Sequence, residues 1–281
     1  MAKQYGVIGY PLGHSMSPFI HKELFRLKGI EVEYEKYEVA PEAISDLFDS
    51  TLSRLDGFNI TIPHKLGIIP CCDELDAAAQ EYGAVNTIGK KDGKYIGYNT
   101  DAYGFLEGLR FSDIPLKGRV LIYGFGGAAR TIITEALKAD CEVFVGTLSE
   151  LKEAAEPIVA ELSRQNGKEI KILTNEEITE EFDLLVNASP VGMYPKVGVS
   201  PITAEQVDLF KYVYDIVYNP AETELLRLAK EKGKIFGGGM SMLVCQAIKG
   251  HGHWYGGKFT KEETASVIEK ASKEMERIFS K

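Results

Sequence analysis

Apolar and polar positions along the first hundred residues alternate with two periods, one typical of strands and one typical of helices. A short apolar run at 5–10 precedes a segment at 18–28 whose apolar residues recur every three or four positions, and 32–39 then alternates strictly. Helices are predicted for 41–53 and 73–82, with a strand at 57–62 between them. A hairpin is predicted for 85–99, because Asp92-Gly93 favours a tight turn with positive φ. This alternation favours a largely parallel sheet covered by helices.

The second half of the chain has a more regular pattern. From about residue 119, six short β-rich segments are mostly joined by helix-length connections: VLIYG, CEVFV, EIKIL, DLLVNAS, YVYDIVY and KIFGG. This pattern predicts a doubly wound nucleotide-binding domain. Helices are predicted for 240–248 and 260–279, and the pattern leaves open which domain they cover. The fold class is therefore α/β, and 281 residues favour two domains.

Composition and charge narrow the function classes. The chain is 44% hydrophobic and 26% charged, and no apolar run approaches the ~20 residues of a membrane-spanning helix. The start of the chain resembles neither a signal nor a transit peptide. A net charge of -9 argues against a general nucleic-acid or membrane binder, whereas small anions can still bind at a local site. The spacing of the four cysteines favours reduced thiols, and we expect a cytoplasmic protein.

The segment VLIYGFGGAARTIITEAL contains a glycine-rich turn between a buried strand and an apolar helix. In this setting G-x-G-x-x-A is the fingerprint of dinucleotide binding, because backbone N–H groups can approach a pyrophosphate. A tight turn without a ligand is the alternative. About 20 residues later, an acid would select NAD and an arginine would select NADP. The sequence has neither there, and three polar residues in the region either bind a phosphate or cap a solvated helix: Thr147, Ser149 and Lys152.

Lys65 ends the stretch GFNITIPHK, at the carboxyl end of a predicted strand. A lysine can exchange the hydroxyl proton of an alcohol when partial removal from water brings its pKa toward neutrality. Asp101, in GYNTDAYGF, precedes a predicted helix and is placed either to hold the ammonium or to cap that helix. A lysine alone would be interpreted as a solvated loop residue. The hypothesis that Lys65 exchanges a proton with a substrate therefore depends on Asp101 as its partner.

Neutral hydrogen-bonding groups accompany this pair. Ser15 and Ser17 lie before Pro18 at a predicted helix start, where hydroxyls and unpaired amides can bind a carboxylate. Further amides and hydroxyls lie near strand ends: Asn59, Thr61, Asn86 and Thr100. Together they suit a small polyhydroxylated acid. The histidines show no metal-ligand spacing, so no metal is expected: His14, His21, His64, His251 and His253.

These motifs resemble the shikimate dehydrogenase family. The likeness extends over nearly the whole chain through eight ordered segments: GYPLGHSMSPFIH, GFNITIPHK, EYGAVNTI, GYNTDAYGF, YGFGGAAR, NASPVGM, YDIVYNPAETELL and GGGMSMLVCQA. The resemblance implies an N-terminal α/β substrate-binding and catalytic domain at 1–101, completed by the helices at 239–281. It implies a Rossmann-like dinucleotide-binding domain at 102–238. Hinges are then expected near 99–103 and 237–239.

The resemblance also implies residue roles. It assigns the substrate carboxylate to two serines and a nearby tyrosine: Ser15, Ser17 and Tyr218. It assigns the ring hydroxyls to four polar side chains: Thr61, Asn86, Asp101 and Gln246. Lys65 and Asp101 form its catalytic pair. It assigns the pyrophosphate to the glycine turn: Gly124, Gly126, Gly127 and Ala128. It assigns the nicotinamide side to two later residues, Ile216 and Gly239.

The implied reaction is the reversible, NADP-dependent reduction of 3-dehydroshikimate to shikimate on the path to chorismate and aromatic amino acids. The chain departs from the family at Gly146-Thr147-Leu148, where the family commonly has Asn-Arg-Thr with an arginine for the NADP 2′-phosphate. NAD is therefore the alternative cofactor, and an NAD-dependent quinate/shikimate dehydrogenase is the nearest alternative function. A non-catalytic ligand sensor is a further alternative. The folate dehydrogenase family is disfavoured by the serine pair. We expect a monomer or a homodimer.

Overall fold

The computed structural model describes residues 3–13 and 15–279, so His14 lies outside the described residues. The chain divides into two compact units, which are described separately below. The first contains residues 1–104 and 244–271, and the second contains residues 105–243 and 272–281.

The first unit is built on a six-stranded mixed sheet. Its strands are β1 (Lys3–Gly9), β2 (Val32–Glu38), β3 (Gly57–Ile60), β4 (Glu74–Leu75), β5 (Thr87–Lys91) and β6 (Lys94–Tyr98), in the order β2-β1-β3-β5-β6-β4. Its helices begin with α1 (Ser17–Leu27), α2 (Ile44–Ser50), α3 (Ala77–Tyr82) and α4 (Asp101–Phe111), and the boundary between the units falls within α4. β1 pairs in parallel with β2 and β3, whereas β5 is antiparallel to β3 and β6.

The second unit is a six-stranded parallel sheet. Its strands are β7 (Arg119–Tyr123), β8 (Glu142–Thr147), β9 (Ile170–Thr174), β10 (Phe182–Asn187), β11 (Phe210–Asp215) and β12 (Ile235–Gly238). The order β12-β11-β10-β7-β8-β9 reverses direction at β7, which defines a doubly wound Rossmann-like sheet. The helices are α5 (Gly127–Lys138), α6 (Lys152–Asn166), α7 (Ala204–Val207) and α8 (Glu224–Glu231). The chain then continues through α9 (Gly239–Tyr255) and α10 (Lys261–Phe279), each divided between the two units.

The α/β fold class and the doubly wound domain are confirmed. The predicted hairpin is also confirmed, with φ of 51° at Asp92 and 80° at Gly93. The helix predicted for 73–82 is wrong at its start, because β4 occupies Glu74–Leu75 and pairs with β6 before α3 begins. The helix predicted for 240–248 is longer than expected and extends to Tyr255.

An aromatic cluster explains the extension of α9. The Trp254 indole N–H donates to the Ile88 carbonyl oxygen at 2.9 Å, and its ring lies 4.7 Å from the Tyr5 ring between centroids. A Cβ added to Gly57 would lie 2.5 Å from the indole nitrogen, so a strand glycine makes room for the ring. The end of α9 is thereby packed against the first sheet. No helix among the described residues is both long and apolar enough to cross a membrane.

Candidate active site

Several connections meet at one edge of the first sheet. The loops after β1 and β3 leave from the same edge because these strands are parallel. The start of β5 and the end of β6 reach that edge too, because β5 is antiparallel to both neighbours. Carboxyl edges of α/β sheets are where such folds place their sites. Six of the predicted site residues come to this edge: Ser15, Ser17, Thr61, Lys65, Asn86 and Asp101.

Lys65 is paired with Asp101. Its Nζ donates to the Asp101 Oδ2 at 2.6 Å, and the two side chains are 29% and 10% exposed. The turn that carries the lysine is held at its backbone, since the Val85 N–H donates to the Lys65 carbonyl oxygen at 2.9 Å. Lys65 is therefore not a solvated loop lysine. Its ammonium can donate three hydrogen bonds, and Asp101 accepts one of them.

The Asp101 carboxylate does not cap the helix that it begins. Its second oxygen accepts a hydrogen bond from the Asn86 Nδ2 at 2.8 Å, so both oxygens are directed to site residues. The turn before the helix is instead stabilised by Asn99. Its Oδ1 accepts from the Asp101 N–H at 3.0 Å, and its Nδ2 donates to the Ala84 carbonyl oxygen. Of the two sequence interpretations of Asp101, the structure supports the lysine partner.

Asn86 connects the pair to α9. Its Nδ2 also donates to the Gln246 Oε1 at 3.2 Å, and its Oδ1 accepts from the backbone N–H of Thr100 at 2.9 Å. These contacts fix which way the carboxamide faces. The structure thus joins Lys65, Asp101, Asn86 and Gln246 in one hydrogen-bonded group.

Two residues in this region were missed by the sequence prediction. The Thr87 hydroxyl donates to the Asn86 Oδ1 at 3.3 Å and accepts from the Asn59 Nδ2 at 3.0 Å. The Tyr34 hydroxyl donates to the Asn59 Oδ1 at 2.7 Å. The sequence did contain a signal for them: Asn59 is a polar residue inside the apolar run at 57–60. A buried amide needs hydrogen-bond partners from neighbouring strands.

Ser15 and Ser17 lie where α1 begins. Among the described residues, no side chain forms a capping hydrogen bond with this helix, and the Ser17 N–H donates to the Ser15 Oγ at 3.4 Å. Both residues are half-buried. Their loop is tied to the loop of Thr61, because the Tyr10 N–H donates to the Ile62 carbonyl oxygen at 3.0 Å. Hydroxyls beside a helix N-terminus suit a carboxylate.

The glycine turn of the second unit has the features of a pyrophosphate site. Gly124 has φ of 110°, and an added Cβ would lie 3.0 Å from the Ala188 carbonyl oxygen, so the fold itself requires glycine there. An added Cβ at Gly126 or Gly127 meets no protein atom within 4 Å. Open space above these two residues, at the N-terminus of α5, fits the close approach of a dinucleotide. Ala128 follows in the first turn of the helix.

The residues predicted for the nicotinamide side lie after the strands on the other half of this sheet. Gly239 allows its backbone to approach the Ile216 carbonyl oxygen, since any Cβ would overlap that oxygen. Tyr218 is half-buried, and burial raises the pKa of its hydroxyl. A buried carboxylate, Asp215, accepts hydrogen bonds from the Val217 N–H, the Asn187 Nδ2 and the Thr223 hydroxyl. Asp215 therefore holds the loops that carry Ile216 and Tyr218.

Metal ligation receives no support from the described part of the chain, residues 3–13 and 15–279. No group of three or more His, Cys, Asp or Glu side chains there could hold an ion. His21 and His251, far apart in sequence, do meet, with 2.9 Å between His21 Nδ1 and His251 Nε2. Burial lowers the pKa of both imidazoles, so they serve as neutral members of the aromatic cluster.

Comparisons with known proteins identify the relatives of this chain. The family model described as the shikimate dehydrogenase substrate binding domain matches residues 7–88. A curated relative from Shouchella clausii (strain KSM-K16), named shikimate dehydrogenase (NADP(+)), is 37% identical over 272 residues, covering 95% of this chain and 98% of the relative.

Two solved structures share the fold. Shikimate 5-dehydrogenase from Thermus thermophilus, in complex with NADP(H) and shikimate, has a TM-score of 0.80 and 32% identity, covering 96% of this chain and 99% of the other. Shikimate 5-dehydrogenase from Listeria monocytogenes, in complex with shikimate and NAD, has a TM-score of 0.82 and 28% identity, covering 95% and 96%.

Proposed function

Because the chain belongs to the shikimate dehydrogenase family, we propose that it catalyses the reversible NADP-dependent reduction of 3-dehydroshikimate to shikimate. The observation that carries the proposal is the contact of 2.6 Å between Lys65 and Asp101 at a sheet edge lined with neutral hydrogen-bonding groups. We assign substrate binding and catalysis to the first unit and dinucleotide binding to the second. A cytoplasmic location and a monomeric or homodimeric state are part of the proposal.

The proposed roles follow from the chemistry of the groups. Ser15 and Ser17 bind the substrate carboxylate, with Tyr218 as a third partner. The ring hydroxyls are bound by polar side chains of the hydrogen-bonded group and of the neighbouring turn: Thr61, Asn86, Asp101 and Gln246. Because the contacts of Asn86 fix its carboxamide, a substrate hydroxyl meets donors and acceptors that are already oriented.

In the proposed reaction, Lys65 donates a proton to the oxygen at C3 as the carbonyl becomes an alcohol, and it takes the proton back in the reverse direction. Asp101 holds the ammonium in place and balances its charge. The nicotinamide ring, when bound, supplies or accepts the hydride at C3. The glycine turn, from Gly124 to Ala128, binds the pyrophosphate, and Ile216 and Gly239 border the nicotinamide.

The test is a Lys65→Met variant, assayed with shikimate and NADP by absorbance of the reduced nicotinamide. We expect kcat to fall by about 10³-fold, within the range for loss of a general acid-base group. Shikimate affinity, measured by calorimetry, should change only a few-fold.

Lys94→Met is the matched control, because Lys94 is also paired with a carboxylate, Glu74, but lies at the opposite end of its strand. It should leave kcat unchanged. Near-normal turnover by Lys65→Met would remove the lysine from the mechanism, and an unmodified protein inactive with either dinucleotide would support a ligand sensor.

A further inference from the structure

The segment after β8 lies where a doubly wound domain meets the 2′ position of the adenosine ribose. A phosphate at that position normally requires a cation, usually an arginine, whereas a bare hydroxyl is accepted by a carboxylate. Residues 146–152 contain one basic residue, Lys152. Thr147 is only 2% exposed, so its hydroxyl is withdrawn from the surface that a ligand would meet.

The Tyr123 ring explains why this chain has glycine at 146. A Cβ added to Gly146 would lie 2.7 Å from the Cδ2 of Tyr123. The Tyr123 hydroxyl donates to the Asn175 Oδ1 at 2.6 Å, which fixes the ring across the ends of β7, β8 and β9. A larger residue at 146 would therefore require this hydrogen-bonded ring to shift.

Two carboxylates from the turn after β9 engage the remaining polar groups. The Ser149 hydroxyl donates to the Glu176 Oε2 at 2.8 Å, and the Lys152 Nζ contacts both oxygens of Glu177 at 3.1 and 3.2 Å. Hydrogen bonds lower the pKa of both glutamates, so both are ionised at neutral pH. The cation of this segment is thus already neutralised, and a second negative charge lies beside it.

We infer that this site does not select the 2′-phosphate, and that the chain binds NAD at least as tightly as NADP. The inference rests on the proposed function, because it concerns the same dinucleotide site. A 2′-phosphate carries close to two negative charges at neutral pH and would approach Glu176 and Glu177 at a cost. A ribose hydroxyl can instead donate a hydrogen bond to either carboxylate.

Arg130 is the cation that could contradict this inference. It is exposed in the first turns of α5, and its backbone N–H donates to the Gly126 carbonyl oxygen at 3.0 Å. Because Arg130 follows the pyrophosphate turn closely in sequence, its guanidinium is a second cation that could bind the 2′-phosphate. Its variant is therefore an arm of the test.

The test measures dissociation constants of NAD and NADP by isothermal titration calorimetry, which does not depend on turnover. The wild type should bind NAD at least as tightly as NADP. The isosteric double variant Glu176→Gln/Glu177→Gln should bind NADP about three- to tenfold more tightly, because a negative charge beside the phosphate is removed, and NAD within about twofold of wild type.

Glu169→Gln is the matched control. Glu169 is exposed and precedes β9, so it lies at the opposite edge of the sheet, and it should leave both constants unchanged. A gain-of-function variant, Leu148→Arg, replaces a side chain that is 38% exposed and should tighten NADP about tenfold without affecting NAD.

Tighter binding of NADP than of NAD by the wild type would overturn the inference. A selective loss of that NADP affinity in Arg130→Gln would then identify the cation responsible. An equal gain of NADP affinity in Glu169→Gln would also overturn the inference, because the gain would then come from the net charge of the protein and not from the charge beside the phosphate. If neither dinucleotide binds to the folded protein, the proposed function fails as well, which distinguishes the two failures.

Discussion

At the scale of single residues, the Asp101 side chain differs from that of Asp76, which also lies at a helix start. Its two oxygens contact Lys65 and Asn86, whereas the Asp76 carboxylate accepts from the Ala79 N–H at 2.7 Å and caps α3. Asp101→Asn keeps the shape but removes the charge beside the ammonium. We expect kcat to fall by about 10²- to 10⁴-fold, with shikimate affinity by calorimetry within a few-fold of wild type.

Asp76→Asn is the control for this prediction, because asparagine caps a helix as well as aspartate does. It should leave both kcat and stability unchanged. Normal turnover by Asp101→Asn would mean that the carboxylate charge has no part in the reaction.

The ionisation of Asp215, a buried carboxyl group, should affect stability. Burial raises its pKa to about 6, against the hydrogen bonds from Thr223, Val217 and Asn187 that lower it. The pKa is near 4 in the unfolded state and about 6 in the folded state, so between these pH values the folded state binds more protons than the unfolded state. The free energy of unfolding therefore falls as the pH rises through this window. The full effect is about 3 kcal/mol.

Urea denaturation of the wild type and of Asp215→Asn at several pH values tests this. Other groups contribute equally to both proteins, so the difference in unfolding free energy should move in favour of the variant between pH 4 and 7 by up to about 3 kcal/mol. A constant difference across the range would show that folding does not raise the pKa of Asp215.

At the scale of elements, two glycines of the turn before α5 should respond differently to substitution. Gly126→Ala meets no protein atom, so stability should stay within about 0.5 kcal/mol while dinucleotide affinity falls tenfold or more, because the new methyl lies where the pyrophosphate approaches. Gly124→Ala should instead lose about 1–3 kcal/mol of stability, since φ is 110° there.

Urea denaturation and calorimetric binding of NAD separate the two effects. Gly13→Ala is the control for Gly126→Ala, because an added Cβ there also meets no atom within 4 Å and the residue lies outside the turn. Unchanged dinucleotide affinity in Gly126→Ala would show that the pyrophosphate does not bind at this turn.

Elements with a clear period were predictable from the sequence, and those set by distant contacts were not. All six strands of the second sheet follow from short β-rich runs, whereas β4, with two residues, is too short to show a period. The last turns of α9 contain Gly250 and Gly252, which lower helix propensity, yet the packing of Trp254 keeps them helical. Likewise, spacing cannot predict the contact between Asn86 and Gln246, 160 residues apart.

At the scale of the whole molecule, the first unit depends on two separate pieces of chain. Residues 244–271 bring Trp254 to β3 and β5 and Gln246 to Asn86, so both the core and the candidate site of this unit need this later segment of the chain. The single tryptophan of the sequence is therefore a probe of the first unit.

This makes the assignment of the substrate to the first unit testable by unfolding. Shikimate at about 100 times its dissociation constant should stabilise the state that binds it by about 2.7 kcal/mol. At a slope of about 1–3 kcal/mol per molar urea, the midpoint followed by Trp254 fluorescence should rise by about 1 M or more. Ser15→Ala/Ser17→Ala should abolish this rise, because the carboxylate loses both hydroxyls, while leaving the midpoint without ligand nearly unchanged for two half-buried serines. A fluorescence midpoint that moves with NADP and not with shikimate would contradict the assignment, since the tryptophan reports on the unit that contains Lys65 and Asp101.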